Sequence, residues 1–170
     1  MFYTILDDLI FYQLLYFLKR YSNFELKLHN YFYNKTNIYP TYINTIKIED
    51  LEYIFFFIKK ESYFEARTYL KSIRKDLKNK KITIIRADNI LLNLIYNLFP
   101  DLCIYDIKIE LNDLSGFYEI SVLFLKDLNS YHIAVGRRGS YIKAINALFE
   151  NYINFKKSDI PIKIKCKVVV

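Results

Sequence analysis

Val135-Gly136-Arg137-Arg138-Gly139-Ser140 is the stretch on which the reading of this chain turns. It holds two of the three glycines in 170 residues, where average usage would give about 12. Apolar spacing on either side is helical: 127–135 reads as a short helix and 140–155 as a longer one, with Ile142, Ile145, Leu148, Phe149 and Tyr152 on one face. Glycine has no Cβ, so a sugar–phosphate backbone can come close to the main chain there. The N–H groups that open the second helix, from Ser140 onward, carry a positive partial charge. Arg137 and Arg138 add two full charges that can contact phosphate bidentately. A plain connection in which glycine caps a helix C-terminus is the competing reading.

Working outward, Asp88 can cap a helix that carries Ile90, Leu91, Leu94, Ile95 and Leu98, and Pro100 ends it. Residues 103–111 form a strand, Asn112-Asp113-Leu114-Ser115-Gly116 a hairpin loop, and 117–125 the partner strand. Residues 160–170 are a last strand with Lys163, Lys165 and Lys167 on one face. The order over 88–170 is therefore α-β-β-α-α-β. Residues 9–90 read mainly as short strands. Phe24-Glu25-Leu26-Lys27-Leu28 alternates with period two, and 63–74 begins with similar alternation. A turn falls near Asn34-Lys35-Thr36-Asn37, 75–81 is a basic turn, and Ile82-Thr83-Ile84-Ile85 is a strand. Periodicity does not decide between helix and buried strand for 49–60. Strands at this spacing suggest a small antiparallel barrel or sandwich, so the chain as a whole reads as α+β. No internal repeat is visible, and the boundary between the halves falls at 86–89.

Net charge is +7, and nearly all of it comes from the last quarter. Residues 126–170 hold nine basic and three acidic residues, net +6; the first 125 are almost balanced at +1. That asymmetry is the footprint of a polyanion-binding region, although a solvated Lys-rich surface would give the same numbers. Cys103 and Cys166 have no metal spacing and read as core residues. With only His29 and His132, zinc sites and His-based triads are nearly excluded, and His132 reads as structural. The acid pairs Asp7-Asp8 and Glu49-Asp50 lack a base or nucleophile, so no enzyme, metal or cofactor is expected. The longest apolar runs fall far short of the ~20 residues that span a bilayer, which predicts a cytoplasmic protein with no membrane partner. Phe55, Phe56 and Phe57 are expected in the core. Tyr12, Tyr16, Phe24, Tyr31 and Tyr33 fit core filling better than an aromatic nucleic-acid face. Lys163, Lys165 and Lys167 suit edge protection nearly as well as RNA contact.

A Gly-x-x-Gly between two helices, in this element order, is similar to the nucleic-acid clamp of KH domains. Residues 82–155 also resemble the first KH domain of the transcription factor family NusA, with the strand that leads into it. Ile82-Thr83-Ile84-Ile85-Arg86 stands where that family ends its S1 barrel in a strand followed by Ser-Arg, and Phe99-Pro100-Asp101-Leu102 stands for its Val-Pro-Glu-Ile. Ile107-Lys108-Ile109 matches its Val-x-Ile strand. The family run Asp-Pro-Val-Gly-Ala-Cys-Val-Gly-x-x-Gly-Ser-Arg-Ile-x-Ala-Ile aligns without a gap on the residues from Asn129 to Ile145, most closely after Val135. The resemblance implies a degenerate S1 (OB-like) β-barrel over 1–87. It further implies a type II KH domain over 88–170, with its GxxG loop at 136–139.

The function it implies is a reduced elongation, termination or antitermination factor that binds single-stranded RNA, with RNA polymerase or the ribosome as a further partner. Val135, Gly136, Arg137, Arg138, Gly139, Ser140, Tyr141 and Lys143 are the expected RNA-binding residues, with the Tyr141 ring stacking on a base. Bases are expected against Ile133, Ile142 and the strand 117–125. Gly136→Asp with Gly139→Asp should abolish binding and leave the fold intact. The family's N-terminal polymerase-binding domain and second KH domain are expected to be missing. A ribosomal or ribosome-assembly KH protein, and a protein-interaction domain that has lost RNA binding, are the alternatives.

Overall fold

In the computed structural model, residues 15–169 are described apart from 19, 113, 115, 127, 128 and 157–160. A short strand β1 (Leu15–Phe17) leads to Ser22, whose side chain accepts from the Glu25 N–H while the Glu25 carboxylate accepts from the Ser22 N–H. This reciprocal capping box opens helix α1 (Asn23–Thr36). Leu28, Phe32 and Thr36 follow at four-residue steps and are buried, while Phe24 and Leu26 face solvent. The strand expected over 24–28 is therefore helix: its alternation rested on two side chains outside the core. The remaining Glu25 oxygen accepts from the Thr45 N–H and hydroxyl, at 2.9 and 3.1 Å, and ties α1 to the first sheet.

That sheet starts as a hairpin of β2 (Tyr42–Ile48) and β3 (Leu51–Ile58). The chain then crosses over through α2 (Tyr63–Thr68) and α3 (Leu70–Asp76), and β4 (Lys80–Arg86) returns parallel to β3. Residues 63–74 are thus helical and not a strand, with Tyr63, Ala66 and Ile73 at helical spacing in the core. The sheet order is β2-β3-β4. A parallel pair needs such a crossover, which a simple hairpin barrel does not contain.

The barrel expected over 1–87 is corrected accordingly. Among the described residues the sheet is open, and residues 1–14 of that span lie outside them. The reason is visible in β3. Ile54, Phe56 and Ile58 pack with Leu28, Phe32, Ala66 and Ile73 of the helices, whereas Tyr53, Phe55 and Phe57 join a second cluster on the opposite face. A strand buried on both sides reads as an unbroken apolar run, and Leu51-Glu52-Tyr53-Ile54-Phe55-Phe56-Phe57-Ile58 is one.

The second half repeats the arrangement. Helix α4 (Leu91–Leu98) precedes a hairpin of β5 (Asp106–Asn112) and β6 (Phe117–Leu125). Helix α5 (Ser130–Val135), a 3-10 turn at Arg137–Gly139 and α6 (Ser140–Asn151) form the crossover. After β7 (Ile153–Phe155), β8 (Ile162–Val169) runs parallel to β6, giving the order β5-β6-β8. Helix α6 ends earlier than expected, because β7 leaves it to pair antiparallel with β1. So the repeat that sequence does not reveal is present in topology: helix, hairpin, two crossover helices, parallel return strand, twice.

The correspondence reaches individual contacts. In the second half Asn146 of α6 donates to the Ile164 carbonyl and accepts its N–H, at 2.9 and 2.7 Å, covering the outer edge of β8. In the first half Arg74 of α3 donates from Nε and Nη2 to the Ile82 carbonyl of β4, at 3.1 and 2.9 Å. One core then joins the halves, with Ile46, Tyr53, Phe55, Phe57 and Ile85 in the same cluster as Leu94, Ile120, Phe124, Ile145, Leu148 and Ile164.

Candidate nucleic-acid interface

The hinge at 136–139 is built by three special conformations within four residues. Gly136 lies at φ 74°, ψ 171°, Arg138 at φ 53°, ψ 30°, and Gly139 at φ 74°, ψ 15°. Together they reverse the chain between α5 and α6. Arg137 and Arg138 are exposed, and no ionic partner is present for either among the described residues. Behind them α6 opens without a side-chain cap; the Gly139 and Ser140 N–H groups donate to the Gly136 and Arg137 carbonyls within the 3-10 turn.

The two glycines are not equivalent. A Cβ on Gly136 would lie 2.8 Å from both Cβ and N of Tyr141 and 3.2 Å from Ser140 Oγ, and only glycine readily adopts that φ and ψ. A Cβ on Gly139 would meet nothing closer than 3.9 Å, and its left-handed conformation is open to Asn or Asp. The expectation that acidic residues at both positions spare the fold is therefore corrected: Gly136 is required by packing, and Gly139 is the position that can report on a ligand.

Ser140 and Tyr141 fix the hinge to the first half. Ser140 Oγ, 5% exposed, shares a 2.8 Å hydrogen bond with the Tyr53 hydroxyl of β3. The Tyr141 ring packs between Tyr53, Phe55 and Phe99, with centroids 5.8, 6.2 and 6.1 Å away, and its hydroxyl donates to the Leu98 carbonyl. Burial pushes that hydroxyl well above the ordinary tyrosine range. Tyr141 thus positions the loop, and its ring is taken up by these neighbours.

Beside the hinge lies a cleft of about 570 Å³ whose walls come from both halves. Ile133, Gly136, Arg137, Ser140 and Tyr141 form one wall, Phe99, Pro100 and Leu102 one end, and Leu51, Tyr53, Arg74, Lys80, Lys81, Ile82 and Thr83 the other wall. Ile133 is 62% exposed, a large apolar side chain presented to the cleft. Lys80 is bound to Glu52, whereas Lys81 is exposed with no carboxylate partner among the described residues. The wall from the first half was missed in sequence. Its only signal was the basic run through Lys78, Lys80 and Lys81, which reads as a turn.

Other expected positions fall elsewhere. Val135 is half-buried at the end of α5. Lys143 is 3.3 Å from Glu49 in the β2–β3 turn, an exposed pair across the halves. In β6 the residues 120–124 are buried and offer no surface to bases, whereas Phe117, Tyr118 and Glu119 are half-buried. Lys165 and Lys167 both bond Glu119, and Lys163 sits over the Phe117 ring, so this row is largely self-compensated. Among the described residues no cluster of three His, Cys, Asp or Glu side chains could hold a metal ion, and no helix is long and apolar enough to cross a membrane.

No protein-family model matches the chain, and no curated protein does. A solved structure described as the crystal structure of APE1850 is similar in fold. Its TM-score is 0.56 at 18% identity, covering 85% of this chain and 100% of that one. It is one of 54 matching chains of known structure.

Proposed function

We propose that this chain is an RNA-binding protein built from two units of type II KH topology, which holds single-stranded RNA through the Gly136–Gly139 hinge of the second unit. One observation carries the reading. The first unit joins its two crossover helices through Tyr69 alone, in ordinary helical conformation at φ −85°, ψ −9°, with no glycine. The fold therefore closes without a glycine hinge, and the second unit nevertheless carries one, with two exposed arginines that have no ionic partner among the described residues. Packing accounts for Gly136 but not for Gly139, where a Cβ would meet nothing closer than 3.9 Å, and close approach of a phosphodiester backbone accounts for the second glycine and the two arginines.

The likeness of the run from Val135 to Ile145 to NusA supports a role in the transcription machinery, in elongation, termination or antitermination, in the cytoplasm. Co-purification with RNA polymerase rather than with small ribosomal subunits is the expected outcome for that role; the reverse favours a ribosome-assembly protein.

The direct test is fluorescence anisotropy with a labelled ten-nucleotide oligouridine across a salt series. Arg137→Ala with Arg138→Ala removes two exposed side chains and leaves the core untouched. The slope of log K against log salt should fall by about 1.4, from about 0.7 per phosphate on a single strand. No binding at low salt, or a slope unmoved by the double variant, would overturn the reading.

A further inference from the structure

The cleft beside the hinge has a second cationic wall that belongs to the unit without a glycine hinge. Arg74 spends Nε and Nη2 on the Ile82 carbonyl and keeps its Nη1 donors. It occupies the place that the neutral Asn146 holds in the second unit. Lys81 projects from the same edge strand with no carboxylate against it among the described residues. Between these cations and Arg137 the lining includes an apolar surface, with Leu51 from the first-half wall, Ile133 from the hinge wall and Pro100 and Leu102 at the end. The hydroxyls at its base are already spent: Tyr53 on Ser140, Tyr141 on Leu98. Cations on two lips, with an apolar surface and satisfied polar groups between, fit a strand whose phosphates are held on both sides and whose base lies between them. A cleft of about 570 Å³ takes a group of nucleotide size.

Resting on the reading above, we propose that the first unit takes part in binding through its sheet and not through a loop. A single strand laid on the Gly136–Gly139 hinge continues across the cleft, one base rests on the apolar surface, and the next phosphate is held by Lys81 and Arg74. Contacts to a base are apolar, so this subsite tolerates any base. An acidic peptide lacks the planar group that this surface accommodates, and is the competitor to exclude.

The test uses the full chain and the same ten-nucleotide oligouridine. Lys81→Ala should lower the salt slope by about 0.7, the share of one phosphate. Lys108→Ala removes the same charge from the exposed face of the second sheet, away from the cleft, and should leave the slope unchanged. A 4-thiouridine placed along the strand should crosslink to the peptide containing Leu51 or to that containing Ile133. If Arg137→Ala/Arg138→Ala lowers the slope but Lys81→Ala matches Lys108→Ala, the second wall is refuted while the hinge reading stands. If the wild type binds no RNA, both fall. Displacement of the RNA by a polyglutamate peptide of equal charge at equal concentration also overturns the subsite.

Discussion

Replacing Gly136 by alanine should cost far more than the same change three residues later. The added Cβ meets Tyr141 Cβ and N at 2.8 Å, a separation at which something must move. The obstacle is main chain in the first turn of α6, and Tyr141 is itself anchored by three rings. A non-glycine residue at φ 74°, ψ 171° adds conformational strain of roughly 1–3 kcal/mol. Overpacking adds a similar amount, which brings the loss to about 4 kcal/mol, against a total stability of about 5–15 kcal/mol. For Gly139→Ala only the left-handed backbone is strained, costing about 1–2 kcal/mol. Urea unfolding followed by circular dichroism reads the difference. With a slope of about 2 kcal/mol per molar, Gly136→Ala should lower the midpoint by about 2 M and Gly139→Ala by about 0.5–1 M. Equal midpoints, or a larger loss at Gly139, would refute the packing argument. They would also reinstate Gly136 as a position free to report on RNA.

Tyr53→Phe removes the hydroxyl that pairs with the buried Ser140 Oγ and should destabilise by about 1–2 kcal/mol in thermal unfolding; an unchanged midpoint would mean that this tie between the units is idle. Hydrogen bonds from Lys165 and then Lys167 hold the Glu119 carboxyl below its ordinary value of 4.5. The folded-state value is depressed, so the contribution is complete above that pH and is lost as pH falls through the folded value. The stability gap between wild type and Glu119→Gln, read from urea midpoints, should stay constant above pH 4.5 and narrow as the pH falls below it, and a gap independent of pH counts against the pairing. Burial pushes the Cys166 thiol up to about 12. Iodoacetamide at pH 8 should therefore alkylate the exposed Cys103 first, and peptide mass spectrometry showing equal rates would contradict the burial.

What was legible in the sequence follows from which faces are buried. The second unit shows one apolar stripe per helix, at Leu91, Leu94, Ile95 and Leu98 and again at Ala144, Ile145, Leu148 and Phe149, and its elements could be read in order. In the first unit the central strand is apolar on both faces, so alternation carries no message there. In α1 the exposed Phe24 and Leu26 imitate a strand period. The Ser22/Glu25 capping box was present in the sequence and is the signal that separates the two readings. Scarcity of glycine does not keep the chain from tight left-handed turns. The chain makes them with Asn37, Glu49, Asn79, Asp101 and Arg138, all at positive φ. In the candidate site the hinge was legible because its residue types are improbable in this composition. The facing wall was not, because Lys81, Arg74 and Leu51 are brought to the hinge only by the crossover that pairs β4 with β3.

The geometry of the cleft depends on that shared core more than on the hinge itself. Were the two units joined by a mobile linker, a strand spanning both lips would have to order them on binding and lose affinity in doing so. Here Tyr53, Phe55, Phe57 and Ile85 of the first sheet lie in one cluster with α4, α6 and the second sheet. The Arg67–Asp101 ion pair adds a tether at the end of the cleft, where Asp101 follows Pro100. The lips are therefore held at a fixed separation before any ligand arrives. The first unit has no glycine hinge, and one face of its sheet, through Tyr53 and Phe55, is the support on which the 136–139 loop of the second unit is mounted.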